Sequence, residues 1–173
     1  MFESSKTSGL VKRREEAPPD VRIRRAIADD AVSIASVLYE SFLEYESSYT
    51  PEAFAATVSS PGQILERLSE GPVWVALTDG KVIGTVSAVV KAEGLYIRGM
   101  AVKPSGRGSG IGERLLKCAE DFAIENGCTR LFLSTTPFLA RAIRLYEQSG
   151  FSRNNEGPHE LWGTPLFTMV KDL

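Results

Sequence analysis

GMAVKPSGRGSGIGERLL, Gly99 to Leu116, reads as the end of a strand, a glycine-rich loop and the start of a helix. Met100, Ala101 and Val102 suit a buried strand, and Pro104 ends it because proline lacks a ladder donor. Gly106, Gly108, Gly110 and Gly112 take every second position, so the loop can turn tightly and admit a ligand against backbone. Beyond them Ile111, Leu115, Leu116, Ala119, Phe122 and Ala123 recur at helical spacing and make one apolar face. The first N–H groups of such a helix have no internal acceptor, and the helix dipole is positive there. Strand, loop and helix together make an anion site.

Two phosphate loops fail on spacing. No Lys-Ser/Thr pair follows the glycines, as a P-loop requires, and no start among them completes Gly-x-Gly-x-x-Gly. What remains is Arg107-x-x-Gly110-x-Gly112 behind Val102-x-Pro104. Roughly 35 residues on stands Ala142-Ile143-Arg144-Leu145-Tyr146-Glu147-Gln148-Ser149-Gly150-Phe151. The first motif resembles the pyrophosphate loop of the GCN5-related N-acetyltransferases (GNAT), and the second resembles that family's A-x-x-LYE-x-x-GF signature. The resemblance spans about residues 21–171.

Length and composition set the outer bounds. A chain of 173 residues is enough for one domain with a core. The net charge of −2 offers no basic stripe, so nucleic acid is not expected as a partner. No apolar run approaches the ~20 residues of a membrane span. Residues 1–20 carry mostly Ser, Lys, Arg, Glu and Pro, with no signal-peptide core, and are expected to form a disordered tail. Residues 21–173 are the expected acetyltransferase domain, in the cytoplasm. Cys118 and Cys128 make neither a disulfide framework nor a metal spacing; both read as reduced structural thiols, and no metal is expected.

Along the chain, Val21 to Ile27 alternates as a half-buried strand. Asp29 or Asp30 caps a helix whose face is Ile34, Leu38 and Phe42. A second helical segment, about Pro51 to Leu68, is broken by Pro61-Gly62 and turns Ile64, Leu65 and Leu68 inward. Val73–Leu77 and Lys81–Lys91 flank Thr78-Asp79-Gly80 as a hairpin. Leu95–Val102 delivers the glycine loop, whose helix stops near Asn126-Gly127. Leu131–Thr135, a helix through Tyr146 stopped by Gly150, a strand from Phe151 and a last strand Leu166–Val170 complete the order β-α-α-β-β-β-α-β-α-β-β. This is an α/β chain with a central mixed β-sheet, parallel where helices link strands and antiparallel at its edges, flanked by helices on both faces. The GNAT resemblance implies the same architecture. An edge strand left open by the last strands offers a route to a homodimer.

The resemblance also implies chemistry. Acetyl-CoA is the cosubstrate. Backbone donors of Gly108, Ser109, Gly110, Ile111, Gly112 and Glu113 would hold its pyrophosphate, with Arg107 adding charge. Its arm would lie along Met100, Ala101 and Val102, in a splay between that strand and Leu131–Thr135, and Gly99 is placed for the irregularity. Tyr146 matches the tyrosine near the sulfur and is the candidate general acid. Glu40, Glu44, Glu93 and His159 are the weak candidates for a base. Leu139 stands where the family often has an asparagine, and Thr135 or Thr136 could take its place. No cysteine sits where a nucleophile is expected, so transfer is direct, to a primary amine on a small molecule or a peptide. Tyr39, Glu40, Glu44, Tyr45 and Tyr49 form an acidic, aromatic stretch that favours a cationic acceptor. The alternative is a non-catalytic CoA-binding module on the same fold.

Overall fold

The computed structural model describes residues 20–173; the expected tail lies outside them except for Asp20. The chain opens with β1 (Val21–Arg25), a short 3-10 turn and α1 (Ala31–Phe42), then a second 3-10 stretch, α2 (Pro51–Thr57) and α3 (Pro61–Glu70). β2 (Val73–Thr78), β3 (Lys81–Lys91) and β4 (Gly94–Val102) follow, and β4 feeds the glycine loop and α4 (Ile111–Glu125). β5 (Arg130–Thr135), α5 (Ala140–Gln148), β6 (Ser152–Asn154), a small hairpin of β7 (Glu160–Leu161) and β8 (Thr164–Pro165), and β9 (Phe167–Asp172) complete it.

Seven strands form one mixed sheet in the order β1-β2-β3-β4-β5-β9-β6. β4 and β5, joined through α4, are the parallel pair; the other neighbours run antiparallel. The Asp79-Gly80 turn has positive φ at both residues, as a two-residue primed turn requires, and closes on Thr78 and Lys81. β9 enters between β5 and β6, so the edge on that side is the three-residue β6 and not the last strand.

Alternation divides the core. Trp74 and Ala76 of β2 face α4, packing with Leu95, Ile97, Leu115, Ala119 and Leu131. Val73 and Val75 turn the other way, onto Ile34, Val37 and Leu38 of α1 and Ile64 of α3. A third cluster sets Tyr49 and Phe54 against Phe138, with Tyr49 and Phe138 edge to face at 4.8 Å. Helices therefore flank the sheet on both sides.

Several local expectations change. Asp30 does not cap α1 with its side chain. Its carboxylate turns back, accepting from the Ile27 N–H at 2.8 Å and from Arg24 at 2.7 and 3.0 Å. That folds β1 against the start of α1, and Ile27 is left outside the strand and exposed. The second helical segment is two helices, because Pro61 opens a fresh one behind a Ser60–Gln63 capping box. In α3 the inward residues are Ile64, Arg67 and Leu68, and Leu65 is exposed. The β7–β8 hairpin has no counterpart in the sequence reading.

Candidate active site

β4 and β5 pair only at Leu95–Leu131 and Tyr96–Phe132, then diverge. From Ile97 to Val102 and from Leu133 to Thr136 both strands border a cleft of about 660 Å³. The glycine loop and the start of α4 close one end of it, α5 supplies a wall through Leu139, Ala142, Leu145 and Tyr146, and Tyr45, Tyr49 and Arg67 reach it from the α1–α3 side. Pro158, Glu160 and Leu161 border it from the segment around β7. That hairpin is pinned by Thr50, whose N–H donates to the Thr164 hydroxyl at 2.9 Å and whose hydroxyl donates to the Trp162 carbonyl at 2.8 Å.

The irregularity expected at Gly99 is present. The β3–β4 register shifts between Thr85–Ala101 and Ser87–Arg98, leaving an extra residue on β4, and Gly99 takes φ +57°. A glycine in left-handed geometry is what such a bulge demands. A Cβ there would also stand 2.6 Å from Arg67 Nη1.

The glycines of the loop divide by task. Gly106 is packed, with a Cβ position 3.3 Å from both Ile111 and Val102. Gly112 is packed too: a Cβ would meet Leu145 at 2.7 Å, so it sets the approach of α5 to α4. Gly108 and Gly110 are needed for backbone shape, with φ of +81° and +74° and open space around them. Gly110 is the N-cap of α4 and no side chain caps the helix. The first intrahelical bond is the Arg114 N–H to the Gly110 carbonyl, at 3.1 Å. The amides of Ile111, Gly112 and Glu113 are left at the cleft with the positive end of the helix dipole behind them.

Tyr146 is 7% exposed, and burial pushes its phenol well above the usual range, with Tyr49 nearby adding to the shift. It remains a neutral O–H donor at any ordinary pH. Tyr49 is shifted the same way by burial, with the Thr136 and Thr57 hydroxyls opposing the shift. On the far wall, burial pushes the Arg67 guanidinium down, and Arg98 beside it adds to the shift.

Residues 33–151, well over half of the chain, match the family profile described as the acetyltransferase (GNAT) family. The chain belongs to that family. It is 29% identical over 154 residues to the aminoalkylphosphonate N-acetyltransferase of Salmonella typhimurium, covering 84% of this chain and 94% of that one. It is 39% identical over 88 residues to the IAA acetyltransferase of Azospirillum brasilense, a match that spans 49% of this chain and 58% of that protein's length. Among solved structures, PaiA N-acetyltransferase from Thermoplasma acidophilum in complex with coenzyme A aligns with a TM-score of 0.76 at 21% identity, over 89% of this chain and 99% of that one. At that identity the likeness is one of fold. The GNAT assignment makes the protein an N-acetyltransferase.

Within this GNAT chain the expected site residues separate clearly. Met100, Ala101, Val102, Arg107, Gly108, Gly110, Ile111, Gly112, Glu113 and Tyr146 all line the cleft. Ser109 is not among the lining residues, and its hydroxyl donates to the Gly106 carbonyl at 2.7 Å, bracing the loop. Arg107 is held by Glu44 at 2.5 Å and donates to the Ser41 carbonyl at 3.2 Å, so it ties the loop to the end of α1. Glu40 pairs with Lys103 at 3.3 Å. The acidic stretch expected to attract a cation is therefore engaged with the protein's own basic residues. Glu93 and His159 are exposed and outside the cleft. The sequence reading missed Arg67, Arg98 and Glu160; for Arg67 the signal was its place on the inward stripe of α3, one turn after Ile64. Cys118 and Cys128 are free thiols away from the cleft. Among the described residues no group of His, Cys, Asp or Glu could hold a metal ion, and no helix is long and apolar enough to cross a membrane.

Proposed function

We propose that the protein transfers the acetyl group of acetyl-CoA directly to a primary amine, with both substrates bound in the one cleft. The observation that carries this reading is the meeting of the β4–β5 splay with the uncapped N-terminus of α4, with Tyr146 in the wall between. The amides of Ile111, Gly112 and Glu113 supply donors and a positive dipole for a pyrophosphate. The open edge of Ile97–Val102 supplies strand hydrogen-bonding groups to the amide-bearing arm. Thr136, whose buried hydroxyl borders the cleft, fits the polar role that Leu139 cannot fill.

In the reaction the amine nitrogen attacks as the free base. The N–C bond forms, the C–S bond breaks, and the surplus amine proton leaves to water at the open mouth of the cleft. Tyr146 gives its proton toward the departing sulfur and recovers one from solvent; as a buried neutral phenol it is always in the donating form. A main-chain N–H beside the Gly99 bulge is the candidate donor to the developing oxyanion. The absence of a cysteine from the cleft lining favours direct transfer over a covalent acetyl-enzyme.

The test is a calorimetric titration with acetyl-CoA and free CoA, followed by thiol release across an amine library. Micromolar binding of both with turnover supports transfer. Binding without turnover on any amine points to a CoA-binding module, and binding of neither removes the reading.

A further inference from the structure

We propose that the acceptor amine carries an anionic group, a carboxylate or a phosphonate, and that Arg67 binds that group with Arg98 beside it. This rests on the acetyl-transfer reading and names the acceptor's chemical class.

Arg67 breaks the pattern of its own helix. α3 turns Ile64 into the core and packs Leu68 against it, and Arg67 lies on the same stripe. A long cation on an inward face is what a sequence selected for folding alone avoids. Arg67 makes no ion pair or hydrogen bond with the described residues, and its Nη1 is buried without a partner. The site is nonetheless built around it: Gly99 leaves out the side chain whose Cβ would stand 2.6 Å from that nitrogen. Arg98 repeats the imbalance. Its Nη2 pairs with the exposed carboxylate of Glu70, while its Nε is buried and unpartnered. Two guanidinium groups thus stand on the cleft wall; the carboxylate that pairs with one of them, Glu70, is exposed and outside the lining, and the two carboxylates that do line the cleft, Glu113 and Glu160, pair with neither.

A guanidinium presents a rigid fork that matches a carboxylate or phosphonate with two parallel bonds. The coenzyme's own phosphates do not account for it. Gly99 lies about 10 Å along the strand, at ~3.3 Å per residue, from Val102, the end against which Gly106 of the glycine loop packs. Arg67 is instead level with the bulge, beside the carbonyl that the acceptor attacks in the transfer reading.

The experiment uses the CoA-saturated full-length protein and its Arg67→Gln and Arg67→Lys variants. Each is titrated calorimetrically with β-alanine, 2-aminoethylphosphonate and taurine, and with β-alaninamide and ethylamine as uncharged-ended counterparts. At least one anionic amine should bind the wild type tenfold or more tighter than its counterpart. That advantage should fall below threefold in Arg67→Gln and survive in part in Arg67→Lys, with CoA affinity unchanged. With the amine that binds, Arg67→Gln should raise KM and leave kcat within threefold; a fall in kcat for charged and uncharged amines alike would make Arg67 an oxyanion donor instead. The melting temperature of Arg67→Gln should hold or rise, since an unpaired buried cation is removed, whereas a structural arginine would lower it. Equal binding of the counterparts, no binding of any anionic amine, or an advantage that persists in Arg67→Gln overturns the proposal. Such a failure with CoA binding intact leaves the transfer reading standing, and failure of the wild type to bind CoA removes that reading first.

Discussion

Tyr146 combines burial with a place in the cleft wall. Its ring fills the α5 side of the core against Phe151, at 5.8 Å between ring centroids, while the residue still borders the cleft. Tyr146→Phe keeps the packing and removes only the donor. It should lower kcat by roughly 10²–10⁴ with acetyl-CoA affinity retained; rate and affinity measured on the same preparation separate the two. Because the phenol is raised, Tyr146 stays protonated past its unfolded value of ~10, and its deprotonation adds no alkaline limb to the rate profile below that pH. Asp30 is the opposite case. The Arg24 guanidinium and the Ile27 N–H hold its carboxyl below the usual range. Its contribution to stability is complete above the unfolded value of ~3.9 and is lost as pH falls through the lower folded value. Arg24 is 41% exposed, so solvent screens the pair, and Asp30→Asn should cost about 1 kcal/mol at pH 7. Denaturant melts of both proteins across pH should show that gap closing only below about pH 4.

The elements divide between those the sequence announces and those it hides. The strand, loop and helix from Gly99 to Leu116 were legible because each step has a local cause: proline ends a strand, glycine permits positive φ, and apolar residues at 3.6 spacing mark a helix face. The ends of α4 and α5 were legible for the same reason, at Gly127 and Gly150, both with positive φ. The far wall of the cleft was not. The β7–β8 hairpin is two residues on each side, and its position depends on Thr50, more than a hundred residues away in the chain. Arg67 falls on the inward stripe of α3, but that it faces the cleft shows only when Gly99 is seen against it. The Gly110 position tests the element itself. Asn and Asp tolerate its left-handed geometry equally, so the pair isolates charge from strain. Gly110→Asp should bind acetyl-CoA at least tenfold more weakly than Gly110→Asn, because a carboxylate at a helix N-terminus repels an anion worth up to ~2 kcal/mol there; calorimetry on both variants reads the ratio. Gly112→Asp is a poor substitute, since its side chain strikes Leu145.

For the whole molecule, the splay is a standing cost. Strand edges that could pair in the interior are left unpaired beside the cleft, so a ligand that pairs with them should make the complex measurably more stable than the unliganded protein. Acetyl-CoA at a hundred times its Kd should add about 2.7 kcal/mol. For a chain of this size that is roughly 5–10 °C in Tm. A scanning melt with and without acetyl-CoA checks this, and a flat response would mean that acetyl-CoA does not bind the folded protein.

The placement of β9 bears on how the protein is born. It is translated after both of its neighbours, yet it is the strand that joins β5 to β6. Until it arrives, β5 is paired only with β4, at Leu131 and Phe132, and its other edge has no neighbour. A ribosome-bound intermediate therefore leaves one whole edge of β5 open, the condition under which nascent chains pair with one another. Synthesis rate through the α5–β8 region, rather than the stability of the finished sheet, would then set the yield of active enzyme.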